Sequence, residues 1–133
     1  MADEVREVIT GDGWAVGSVD ALGEGPGFRK VRRELGVTAF GVNAIEIPGG
    51  YETGQHFHDE QEELYVVLRG RIAIAFGDGS SHVLGPGGLA RVDAATVRSI
   101  KNLGDDPALY LVTGGKDGYV GRDGRQPEGQ TRR

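Results

Sequence analysis

The stretch GQHFHDEQEELYVVLRG, residues 54–70, decides the fold, because it reads either as strand or as helix and only one of the two lets its histidines cooperate. On a strand His56 and His58 project from the same face with Cα atoms roughly 6.6 Å apart, so that both rings reach one ion through bonds of about 2.0–2.1 Å. On a helix residues two apart point some 200° from each other, and the pair is split. A helix has arguments of its own: Asp59-x-x-Glu62 resembles a capping box, and Leu64, Val67 and Leu68 have helical spacing. Against it stand the β-branched pair Val66-Val67, the break at Gly70 and the alternating RIAIA of residues 71–75. If residues 63–69 are a strand, Glu63, Tyr65 and Val67 share the inward face, and a carboxylate buried there requires a partner. Glu60 and Glu62 then read as solvated loop charges.

Outward from this stretch the chain is rich in short strands. VTAFGVNAIEI (37–47), ended by PGG, reads as a long strand, and RIAIAF, the turn GDGS and SHVL (71–84) read as a hairpin in which Gly79 supplies the positive φ of a primed turn. LARV, TVRSIK and ALYLVTGG follow, each bounded by Gly, Pro or Asp, which points to a sandwich or closed barrel instead of a parallel α/β fold. Toward the N-terminus, Trp14 to Val19 reads as a strand with Trp14 in the core, and ALGEGPG as loop. Apolar residues at Phe28, Val31 and Leu35 followed by Gly36 read as one short helix. The expected layout is one domain over 1–133, with a core at about 37–115 and a polar tail at 116–133 whose Tyr119 and Val120 pin its first part and whose end frays.

The 133 residues carry 15 Lys+Arg against 20 Asp+Glu, a net charge of −5 that argues against a general nucleic-acid binder. No cysteine is present, which excludes disulfides, thiolate zinc sites and a cysteine nucleophile and fits a reducing compartment, so the cytoplasm is the expected location. MADEVREVI lacks the apolar stretch of a signal peptide, and the longest apolar runs, LYVVL and IAIAF, are too short to span a membrane. The 24 glycines follow no collagen period and imply many tight turns.

Gly50, five residues, His56-Phe57-His58, four residues, Glu63, six residues and Gly70 together resemble the first motif of the cupin superfamily over its whole length. The second motif is eroded: from Gly87, Asp93 stands where the family has Pro, Ala95 where it has Gly, and Arg98 where it has a fourth metal-binding His, while Asn102 matches. The resemblance implies an all-β jelly-roll barrel, a homodimer, and a divalent metal (Fe, Mn, Zn or Ni) held by His56, His58 and Glu63.

Two His and one carboxylate form the ligand set of non-haem Fe(II) oxygenases. Arg98 complicates it, since a guanidinium about 6 Å from a dication is repelled by about 5 kcal/mol at an effective dielectric of 20. Three readings follow. An anionic substrate bridges the metal and Arg98, with Tyr65 also lining the pocket, in an oxygenase or isomerase. Alternatively Arg98 pairs with Glu63 in a metal-free binding or sensing module, or the barrel is structural and its site decayed. Tyr65 serves mainly as packing, His82 as a surface residue, and Asn102 as a turn cap.

Overall fold

The computed structural model describes residues 3–127 and is built almost wholly of antiparallel strands. In chain order these are β1 (Ile9–Gly11), β2 (Trp14–Val16), β3 (Gly27–Arg29), β4 (Gly41–Ile47), β5 (Phe57–His58), β6 (Glu62–Arg69), β7 (Ile72–Phe76), β8 (Ser81–Leu84), β9 (Leu89–Val92), β10 (Arg98–Asn102), β11 (Ala108–Gly115) and β12 (Gly124–Arg125). A 3-10 turn at Val19–Leu22 and one helix, α1 (Val31–Leu35), complete the elements. A five-stranded sheet in the order β3-β4-β11-β6-β9 faces a three-stranded sheet in the order β10-β7-β8. Ile45, Tyr65, Val67 and Tyr110 from the first meet Ile72, Ile74 and Ile100 from the second in one core.

β6 settles the strand-or-helix question. Glu63, Tyr65 and Val67 are buried while Glu62, Leu64 and Leu68 are exposed, the period of two that a pleated strand imposes. The helix alternative fails because β6 is paired along both edges, with β11 and with β9, so its backbone groups are committed to the sheet; Asp59 and Glu62 instead accept from Arg125 Nε at 2.6 Å and from Arg91 at 2.8 Å. At the end of β6 the chain passes to the other sheet through Gly70. Its φ is +83°, and a Cβ there would lie 2.9 Å from that of Ala108, so glycine is required twice over. The β7–β8 hairpin forms as its sequence implies, with Gly79 at φ +90° and the Asp78 carboxylate accepting from the Ser80 N–H at 2.8 Å.

The N-terminal region departs from expectation. Trp14 is 55% exposed, lying over Gly11 in the small β1–β2 hairpin and not in the core. That strand ends at Val16, and Phe28 belongs to β3, leaving a shorter helix that stops at Gly36 in the left-handed conformation, φ 73°. His82 is at the surface, as expected. Among the described residues no helix is long and apolar enough to cross a membrane. The expected fraying of the extreme C-terminus falls on residues 128–133, outside those described.

Asn102 is a tie between turns. Its amide donates to the carbonyls of Ile47, Pro48 and Asp106 at 3.2, 3.1 and 2.8 Å, and its oxygen accepts from the Gly104 N–H at 2.9 Å. With 1% of its surface exposed, no water replaces these bonds. Asn102→Ala is therefore expected to lower the unfolding free energy by about 2–3 kcal/mol, read as a lower urea midpoint at unchanged m-value.

Candidate functional site

Residues 51–56 run antiparallel along β10, pinned by backbone bonds from Asn102 N to Tyr51 O (2.9 Å), Thr53 N to Ile100 O (2.8 Å) and reciprocally between His56 and Arg98 (3.0 and 2.9 Å). This extended track is what keeps His56 and His58 on one face. Their rings meet edge to face, 5.2 Å apart at 87°, and both border a cavity of about 950 Å³ between the sheets. Glu63 reaches the same cavity from β6, and the ligating atoms of the three lie within 4.8 Å of one another, near enough to share one ion. Ile45, Tyr110 and Val112 form its apolar floor.

Arg98 does not reach the cavity. Its side chain is fully buried behind Glu63, where Nη2 donates to Glu63 Oε1 at 2.7 Å, Nε to the Tyr65 hydroxyl at 3.2 Å, and Nη1 to the carbonyls of Asp93, Ala94 and Thr96 at 3.3, 3.1 and 2.6 Å. The expectation that it grips a ligand in the pocket gives way to the Glu63 pairing, because every face of the guanidinium is already engaged by protein. Tyr65 lines the cavity, yet its hydroxyl donates to Glu63 Oε1 at 2.8 Å, and burial, with the Glu63 charge, holds its proton well beyond the usual phenol range. Among the described residues the contacts to Glu63, from Arg98 Nη2, the Tyr65 hydroxyl and His58 Nε2, fall on Oε1, which leaves Oε2 of the same carboxylate for a ligand.

Asp123 is the residue sequence reading missed. It arrives from the tail, where β12 pairs with β5 and sets Gly124 opposite His58. Its Oδ2 accepts the N–H groups of Glu60 and Gln61 at 2.8 and 3.0 Å, and its Oδ1 meets the Gln61 amide at 2.5 Å and His58 Nδ1 at 2.8 Å. Burial opposes its charge, but these donors outweigh burial and keep it ionised far below the usual carboxylate range. An ionised carboxylate only accepts, so the His58 Nδ1 must carry a proton, and Nε2 is the ring's free coordination point.

His58 Nε2 is buried with no hydrogen-bond partner: it lies 3.3 Å from Glu63 Oε1, within ion-pair range but not aligned for a hydrogen bond. An orphaned, buried imidazole nitrogen beside a second imidazole and a carboxylate fits a transition metal. Charge balance agrees. Glu63 and Asp123 against Arg98 leave one negative charge when both imidazoles are neutral, to be met by a cation or by protonation. Without a metal, protonation answers it: burial works against a charged His58, but Glu63 and Asp123 raise its pKa above the ordinary imidazole value. Burial likewise works against ionised Glu63, and His58 and Arg98 overcome it, bringing its pKa down to about 2.

The cavity's rim is basic. Lys30, Arg32 and Arg33 from the α1 region and Arg122 from the tail border it, with the Arg32 guanidinium 3.9 Å above the Tyr119 ring. Tyr119, 44% exposed, lies against Arg32 and beside Gly41 of β4, and it and Val120 border the cavity.

Solved structures share the fold of this chain. A solved structure of a sugar phosphate isomerase of the cupin superfamily from Silicibacter pomeroyi is 28% identical, with a TM-score of 0.61, over 67% of this chain and 58% of that one. A structure of DMSP lyases is 29% identical, TM-score 0.59, over 67% and 44%. A cupin protein from Bacteroides fragilis matches at 26% identity and TM-score 0.61 over 81% and 84%. The chain therefore spans less than two thirds of the isomerase and of the lyases it resembles, and no curated protein sequence matches it. The model of the cupin domain matches residues 44–114, more than half of the sequence, and takes in both imidazoles, Glu63 and Arg98. On that match and the fold it predicts, the chain belongs to the cupin family.

Proposed function

We propose that this cupin binds one divalent transition metal (Fe, Mn, Zn or Ni) through His56, His58 and Glu63 and catalyses a proton-transfer reaction, an isomerisation, on a small anionic molecule. The observation that carries the reading is the orphaned, buried His58 Nε2, 3.3 Å from Glu63 Oε1, on a ring whose other nitrogen is held by Asp123. When bound, such an ion polarises a substrate oxygen and acidifies the neighbouring C–H. The protein's own groups prepare the place: Asp123 sets the His58 tautomer, Arg98 and Tyr65 hold Glu63 ionised, and Ile45, Tyr110 and Val112 exclude water from one side. Isomerisation is preferred to oxygenation on the likeness to the Silicibacter isomerase.

The 2.7 Å ion pair between Arg98 and Glu63 favours a second reading, a metal-free binding module in which His58 is charged between its two carboxylates. Metal analysis of protein purified without chelator or nickel resin separates the two. Near-stoichiometric transition metal in the wild type, largely lost in His58→Ala, is the expected result. A wild type that is metal-free and takes up none of the four metals on addition overturns the metal reading and leaves the binding module.

A further inference from the structure

The basic rim has no task in metal binding. Lys30, Arg32, Arg33 and Arg122 come from segments about ninety residues apart in sequence and line a single cavity, in a chain of net charge −5. The cavity's carboxylates do not explain them. Glu63 is met by Arg98 and His58, and Asp123 by two backbone N–H groups, Gln61 and His58. Arg33 pairs at the surface with Glu34 at 3.2 Å. Among the described residues, Lys30, Arg32 and Arg122 have no carboxylate partner. Arg32 rests the face of its guanidinium on Tyr119, which leaves its in-plane N–H donors available. Like charges gathered around a partly enclosed space repel, and an anion seated among them relieves that repulsion.

We infer that this rim is a phosphate subsite, and that the substrate is a phosphate monoester whose dianion lies among Lys30, Arg32 and Arg122 while its unphosphorylated end extends toward His56, His58 and Glu63. A carboxylate is satisfied by one guanidinium fork, whereas a dianion with three equivalent oxygens can be shared by several of the cations that line one cavity. The assignment of the reacting end rests on the proposed function; that of the anion does not.

The test therefore uses metal-stripped protein, so that phosphate cannot bind through a metal. Inorganic phosphate, titrated at low ionic strength and followed by calorimetry, is expected to bind saturably, to be displaced by glycerol 3-phosphate and not by glycerol, and to weaken as salt is added. The double variant Lys30→Gln, Arg122→Gln removes no side-chain hydrogen bond or ion pair found among the described residues and is expected to weaken phosphate by about tenfold or more. Arg32→Lys should retain most of the binding that Arg32→Gln loses, which separates charge from packing on Tyr119. Absence of saturable phosphate binding, or undiminished binding in the double variant, overturns the subsite. Acetate binding as tightly as phosphate overturns the monoester in favour of a carboxylate. Failure of the metal reading would appear in metal analysis alone and leave these titrations unchanged.

Discussion

Arg98→Ala is expected to destabilise the protein by about 3–5 kcal/mol, the usual penalty for removing one partner of a buried ion pair and stranding the other charge. Arg98 is wholly buried and is the only fixed cation against Glu63 among the described residues, since the other charged neighbour, His58, can deprotonate. Arg98→Met, which retains most of the volume, should cost nearly as much if charge and not packing dominates. The double variant Glu63→Gln, Arg98→Met should recover much of the loss, giving a large coupling in a double-mutant cycle. Denaturant midpoints measure all four proteins, and a well-tolerated Arg98→Met would show that Glu63 does not depend on the guanidinium.

The same pair sets the acid limit. A carboxylate with its pKa lowered in the fold contributes stability that is complete above its unfolded value, near 4.5, and that is lost as pH falls toward about 2. For Glu63 that contribution is on the order of 3 kcal/mol. In Arg98→Ala the folded pKa moves back up, so acid unfolding should begin at a higher pH than in the wild type.

Asp123→Asn is expected to weaken metal binding by about 10- to 100-fold while leaving the fold largely intact, the range found when the outer partner of a metal-bound imidazole is altered. The asparagine NH₂ can donate to His58 Nδ1, which moves the ring proton to Nε2 and occupies the position the metal needs. Chelator competition measures the affinity, and thermal unfolding of the metal-free protein controls for stability. Affinity within twofold of wild type would show that Asp123 does not govern the tautomer. Asp123→Ala should be worse for stability than the asparagine variant, because the N–H groups of Glu60 and Gln61 lose their acceptor as well.

How much of this was legible in the sequence depends on range. The His56-Phe57-His58 alternation, the buried face of β6 and the Gly79 turn follow from local periodicity and backbone sterics, and the structure has all three. Position 98 was legible as a cation in place of a ligand, with its direction left open. Only packing decides that direction, and the carbonyls of Asp93, Ala94 and Thr96 draw the guanidinium away from the cavity. Trp14 misled because apolar size does not reveal whether a terminal hairpin has a core to join. Asp123 was invisible because it sits in a polar, glycine-rich tail with no alternation, and its contact with His58 spans 65 residues. The only hints were Tyr119 and Val120 just before it, which mark the tail as attached to the body.

That long-range clasp bears on how function is transferred between relatives. The family match closes at residue 114, whereas the acid that meets His58 lies nine positions later, immediately before a strand of two residues. A fragment trimmed to the matched window would retain every recognised motif residue and lose the group that orients one of them. Relatives scored as equivalent over that window can therefore differ in metal avidity through their endings alone, and swapping only the segment from 116 onward between two such proteins should carry the difference across.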